Sequence, residues 1–145
     1  MRSSSVAQDA GPRLLAGQLQ TALEAMQVLA RFEPRLAGPL AELAADTRLP
    51  IVLHVQADHL DDVIMHLDER QIPARSLETR LHIPRSASQT LPGLSFIAGS
   101  QEILVWVFTP AQFRQRLRVG SESAPSQRLN LQALRKRLEE LLQQA

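Results

Sequence analysis

Residues Ile103-Leu104-Val105-Trp106-Val107-Phe108 form an unbroken apolar run, joined through Gly99-Ser100 to a second apolar stretch from Leu94 to Ala98. Glycine tolerates the positive φ that a tight two-residue turn demands, so the two runs predict a β-hairpin. The later strand carries bulky apolar groups on both sides, Ile103/Val105/Val107 and Leu104/Trp106/Phe108, which predicts that both of its faces are covered. A chain with such a strand at its centre must fold in layers around a sheet, and the remaining segments have to supply the cover.

The cover is read from periodicity. Leu15, Leu19, Ala22, Leu23, Met26 and Ala30 recur at three- and four-residue steps between Pro12 and Pro34, predicting an amphipathic helix over 13–32. Leu36, Leu40, Leu43 and Ala44, with Pro39 suited to a first turn, predict a shorter helix that ends near Asp46 and pairs with the first as a helical hairpin. From Leu49 the period becomes two, since Ile51, Leu53 and Val55 alternate with Val52, His54 and Gln56. Asp58 is suited to cap a helix that buries Leu60, Val63, Ile64 and Leu67 and stops before Pro73. Residues 75–83 alternate again, with Leu77, Thr79, Leu81 and Ile83 inward and Ser76, Glu78, Arg80 and His82 toward solvent.

Residues 85–93 are polar and end in Pro92-Gly93, the composition of a loop. Thr109-Pro110-Ala111-Gln112 is a capping box opening a short helix to about Leu117, and 119–127 read as loop. Asn130 caps the last helix, Leu129 staples against Leu134, and Leu131, Leu134, Leu138, Leu141 and Leu142 form its stripe. The expected fold is α/β (α+β), a small mixed sheet of about four strands with an N-terminal helical pair and a C-terminal helix packed on it. Residues 1–12 are expected to be a flexible N-terminus and 13–145 a single domain, divided into the helical pair (13–47), the sheet core (48–109) and the C-terminal helices (110–145).

Composition narrows the classes. At 145 residues and 44% hydrophobic the chain can bury a core without staples, and with no cysteine it can hold neither disulfides nor thiolate metal sites. No apolar run approaches the roughly 18 residues of a membrane span, and the first residues lack a signal-peptide core, so a cytoplasmic protein with no membrane partner is expected. Fifteen of the sixteen basic residues are arginine, a bias pointing to a GC-rich bacterial genome.

Three polar groupings qualify as candidate sites. His59, Asp62 and His66 share one edge of a helix and could ligate a divalent ion, but the two histidines lie two turns apart, about 10.5 Å along the axis. That separation favours a solvated helix edge. Arg114, Arg118, Arg128, Arg135 and Lys136 belong to a C-terminal third, 110–145, with seven basic residues against three acidic ones, whereas the remainder has nine against twelve. Such a basic surface could attract nucleic acid, yet the scarcity of aromatic residues for base stacking argues against it. Glu78, Arg80 and His82 share a strand face that could border a cleft. No serine triad and no glycine-rich phosphate loop is present in the sequence.

From Arg48 to Leu142 the order of elements resembles that of small bacterial nucleotidyltransferase-fold proteins. The matching pieces are the strand Arg48-Leu49-Pro50-Ile51-Val52-Leu53-His54-Val55, the Asp58 helix, the solvent-facing strand 75–83, the loop to Gly93, the apolar hairpin 94–108 and the leucine-rich helix 130–142. Active members of that family carry two aspartates one residue apart on the first strand, where they hold the magnesium that orients nucleotide phosphates. Here Pro50 and Val52, or Ile51 and Leu53, stand in those positions and cannot serve. The resemblance therefore implies a scaffold without its catalytic residues, needing no cofactor and acting by binding a partner protein or a second copy. The alternatives are an active, magnesium-dependent nucleotidyltransferase-like enzyme using Asp46, Glu78 or Glu102, and a basic nucleic-acid-binding module.

Overall fold

The computed structural model describes residues 2–144, and the side chains of 11–144. The protein is a mixed α+β structure whose six-stranded sheet has the order β1-β2-β5-β4-β3-β6. The strands are β1 (Arg35–Ala37), β2 (Ile51–Gln56), β3 (Arg75–His82), β4 (Gln89–Ala98), β5 (Gln101–Phe108) and β6 (Arg118–Val119). The helices are α1 (Arg2–Val28), α2 (Gly38–Ala41), α3 (Leu60–Glu69), α4 (Pro110–Arg114) and α5 (Leu131–Gln143). Only β2 and β5 run parallel, from Ile51 opposite Ile103 to Gln56 opposite Phe108, and every other neighbouring pair is antiparallel.

The alternation of β2 and β5 sorts their side chains into two cores. Ile51, Leu53, Val55, Ile103, Val105 and Val107 face α1, α3 and α5, where they meet Leu19, Met26, Val63, Leu67, Leu134 and Leu138. The opposite face holds a smaller cluster of Leu81, Leu91, Phe108, Leu117 and Val119, with Ile83, Trp106 and Phe113 packed at its border. The segment from Thr109 to Leu129 thus covers one end of this second face and leaves the rest without a helical layer.

The hairpin forms as the sequence implies. Gly99 takes φ +64 between β4 and β5, the positive value that a II′ turn needs at its first central position. The capping box is also present: Thr109 Oγ1 accepts from the Gln112 amide at 3.2 Å while Gln112 Oε1 accepts from the Thr109 amide at 3.0 Å. Asn130 Oδ1 accepts from the Ala133 amide at 2.8 Å, as an N-cap should. Asn130→Ala is expected to cost about 1 kcal/mol and Asn130→Asp much less, read from urea midpoints, because aspartate retains the accepting oxygen.

Several expectations are corrected. The sheet has six strands rather than about four, because β1 and β6 are only three and two residues long and carry too little periodicity to read. The helix expected over 13–32 begins at Arg2, passes through Pro12 and ends at Val28, with a 3-10 turn at Ala30–Phe32. The second helix and the helical hairpin do not form. Instead Leu36 and Ala37 pair with Leu53 and Val52, and α2 is a single turn opened by Pro39. Gly38 decides this: it takes φ +66 with Val52 close by, so a helix cannot run through it. α1 packs on α5 instead, and Leu19, Leu23 and Met26 are buried within the chain, so the α1 stripe is not left for a second copy.

Residues 89–93, expected as loop, belong to β4. The ladder to β5 ends at Gly93, so Pro92 sits where β4 pairs with β3 alone and interrupts no central ladder. His59 rather than Asp58 occupies the N-cap of α3, and α4 ends at Arg114 rather than Leu117. β5 is covered on both faces only near Phe108, since Leu104 and Trp106 are half-buried. At the far end of α5, Leu142 is exposed rather than part of the buried stripe.

Candidate binding surfaces

The polar chemistry of the chain collects where the Thr109–Leu129 segment crosses the second sheet face. β2 places His54 on that face, opposite Trp106 of β5 and Arg35 of β1. His54 is 1% exposed, tilted against Phe108 with ring centroids 4.7 Å apart. Arg128, entering from the turn before α5, donates its Nε–H to His54 Nδ1 at 2.9 Å and an Nη1–H to the Phe113 carbonyl at 2.7 Å. The same guanidinium lies over the Phe113 ring at 4.0 Å and over Phe108 at 5.1 Å. An Nδ1 that accepts a hydrogen bond carries no proton, so the ring is neutral with its hydrogen on Nε2, a buried donor with no partner among the described residues. Burial pushes His54 from an ordinary value of 6.5 down to about 3, with the Arg128 charge acting in the same direction.

Arginines crowd this region. Burial, then repulsion from Arg116 and Arg35, lowers Arg128 to about 10, opposed only by attraction to Glu122. Arg35 lies 5.5 Å from the centre of the Phe113 ring. Glu122 has a buried oxygen, Oε2, without a hydrogen-bond partner, and burial raises its pKa against the pull of its neighbours. The one ion pair among the described residues joins Arg48 and Asp46, on the surface before β2, so none of these arginines has a carboxylate in direct contact.

The proposed basic surface is divided. Arg128 is half-buried as described, and Arg118, in β6, donates to the Glu122 carbonyl at 2.9 Å. Arg114, Arg135 and Lys136 are exposed, the last two on α5 beside Glu139. Arg116, another basic residue of the C-terminal third, joins the cluster, and so does Arg35 from outside that third. Arg35 is 93 positions from Arg128, and they are brought together by the bridge in which the Leu36 and Leu129 amides each donate to the other's carbonyl, at 2.7 and 2.9 Å.

The histidine edge is taken apart in a similar way. His66 is buried, with Nε2 donating to the Val28 carbonyl at 2.6 Å and Nδ1 facing Arg70 Nη1 at 3.2 Å. It therefore satisfies the end of α1 and has no nitrogen to offer a metal, while His59 and Asp62 are exposed. His82 likewise donates Nε2–H to the Gly120 carbonyl at 2.7 Å. Asp46, Glu78 and Glu102 are not brought together. Glu78 and Glu102 flank β4 opposite Pro92 and Ile97, about 17 Å apart along the strand, and Asp46 is bound to Arg48. Among the described residues no three His, Asp or Glu are grouped to hold a metal ion.

The other half of the second face is apolar and open. The registers align Leu77 with Gly93, Gly93 with Trp106, and Leu104 with Val52 and Ser95, while Ile97 follows on β4 and is 63% exposed. Trp106 lies directly over Gly93, which has no side chain to displace it. Arg75 and Glu102 form a charged border around a groove at the hairpin end of this face. No helix is long and apolar enough to cross a membrane among the described residues. Comparison with protein-family models, curated proteins and solved structures finds no match to this chain.

Proposed function

We propose that the protein is a non-catalytic domain that binds a partner protein through the open half of its second sheet face. The observation that carries this reading is the alignment of Leu77, Leu104, Trp106 and Ile97 on one face with a polar border at Arg75 and Glu102. Apolar centres with charged rims are the anatomy of protein interfaces, and tryptophan is among the residue types that most often anchor them. The chemistry of β2 supports the same reading: Ile51 and Leu53 point into the main core and Val52 packs beside Gly38. The scaffold would then be nucleotidyltransferase-like in its order of elements and would lack the paired carboxylates that nucleotidyl transfer requires.

A photo-crosslinking side chain at Ile97, introduced in cells, is expected to yield a discrete adduct. The same group at Glu78, exposed on the opposite face of the sheet, is expected to yield none. Equal labelling from both positions would end the proposal. Sedimentation of the purified chain across the micromolar range separates a foreign partner from a second copy. Calorimetric titration with ribonucleoside triphosphates and magnesium should show no saturable binding, and binding lost on replacing Asp46, Glu78 or Glu102 would put an enzyme in place of this reading.

A further inference from the structure

Behind the β3–β4 turn lies a cleft of about 520 Å³ whose far wall is the 116–125 segment. This volume falls in the range that holds small organic ligands. Its floor is apolar, with Ile83, Leu117 and Pro125, and its polar lining is cationic and hydroxylic, with Arg116, Arg118, Ser86, Ser88 and Ser123. No carboxylate side chain lines it; Glu122 lines a separate cleft across the loop, beside Gly38 and Val52.

The guanidinium donors are lightly used. Arg118 is paired with His82 in the β6–β3 ladder, and the His82–Gly120 hydrogen bond ties the loop to the same strand. Arg118 donates to one carbonyl at 2.9 Å, and Arg116 to the Ser126 carbonyl at 3.4 Å, out of five N–H groups on each guanidinium. Arg116 holds φ +52 directly after the C-cap of α4, the left-handed stop that ends the helix and turns the chain along the cleft. Arg116 and Arg35 both repel the half-buried Arg128, so an anion bound beside Arg116 would offset positive charge that the fold has already gathered.

We infer that this cleft binds a small organic oxyanion, a phosphate monoester or carboxylate carried on a flat apolar body, with Arg116 and Arg118 holding the charged head and Ile83 and Leu117 the body. This goes beyond the protein-binding reading and is independent of it, because the open sheet face and the cleft have no lining residue in common.

Phenyl phosphate and benzoate, titrated calorimetrically at constant ionic strength, distinguish the two head groups. Saturable binding of either supports the site, and failure of both overturns it. Inorganic phosphate is expected to bind about tenfold more weakly than phenyl phosphate, because it cannot use the apolar floor, and equal affinity would overturn the assignment of that floor. R116Q/R118Q should lose at least about tenfold in affinity, whereas Arg135→Gln, on α5, should bind as the parent does. Ala124→Trp keeps every arginine and fills the cleft, so it is expected to abolish binding even where the double variant folds poorly. Binding that survives Ala124→Trp, or amide shift changes that avoid residues 82–88 and 116–125, would overturn the inference.

Discussion

Gly93→Ala is expected to destabilise the protein strongly. A Cβ at this position would stand 2.3 Å from Trp106 Cε3, 2.6 Å from Cζ3 and 2.6 Å from the Val105 carbonyl oxygen. All three separations lie far inside van der Waals contact, and the last involves a backbone oxygen of the β4–β5 ladder, which no rotamer change can move aside. Overpacking of this kind costs about 1–3 kcal/mol and occasionally more; the fixed oxygen places this case at the upper end, about 3 kcal/mol, a large part of a domain's stability. Trp106→Leu in the same chain removes the ring contact but leaves the Val105 oxygen, so the double variant should recover only part of the loss. Urea unfolding read by far-UV circular dichroism checks both variants, and the emission of the single tryptophan reports whether Gly93→Ala displaces the ring. A Gly93→Ala protein with a parental midpoint would show that the sheet gives way here without cost.

The same glycine illustrates where the sequence was readable and where it misled. Pro92-Gly93 has the composition of a turn, and local chemistry alone gives no reason to prefer a strand. The reason lies 13 positions away, in a tryptophan ring that needs the space a side chain would fill. Elements whose signal is local were legible: the alternation of β2 and β3, the Gly99 turn, the Thr109 box and the Asn130 cap all depend on residues within a few positions of one another. Leu36, Leu40 and Leu43 show how helical spacing fails when it spans a glycine that must take a positive φ. Their leucines are shared out between a strand, a single helical turn and an exposed corner.

The candidate sites were less legible than the fold. Charge counting found the basic C-terminal third, but it could not separate arginines spent on internal carbonyls from arginines lining a cleft. Arg128 and Arg118 differ from Arg135 and Lys136 only through contacts made across the sheet. His54 read as one more position in an alternating strand, and its partner is 74 residues further along the chain. On α3 the spacing of His59 and His66 suggests a solvated helix edge, and nothing local signals that His66 is buried. That His66 serves the end of α1 depends on how α1 and α3 pack, which neither helix encodes alone.

Acidification should begin to destabilise the protein through His54 before its surface carboxylates titrate. The imidazole is neutral in the folded state because Arg128 donates to Nδ1 and because the site is closed to water, which holds its pKa near 3 against 6.5 in the unfolded chain. Between those values the unfolded chain binds a proton that the folded state refuses. Stability is therefore complete above about pH 6.5 and falls toward pH 3 with a limiting slope of about 1.4 kcal/mol per pH unit. Glu122, whose pKa is raised on folding, works in the opposite direction, while Asp46, whose pKa is lowered, loses its contribution only below its ordinary 3.8. Neither accounts for a decline that starts near pH 6. His54→Asn keeps an accepting atom close to Nδ1 and cannot titrate. Its stability at pH 7.5 should be lower, through lost packing on Phe108, yet flat between pH 6.5 and 4.5. Arg128→Met should cost about 2–3 kcal/mol at neutral pH by leaving Nδ1 and the Phe113 carbonyl unpaired, and should move the acid transition upward less than the lost stability alone implies, because the charge that helps to depress His54 is gone. Urea midpoints for the three proteins at four pH values separate these effects, and an acid limb unchanged in His54→Asn would rule out His54 as its origin.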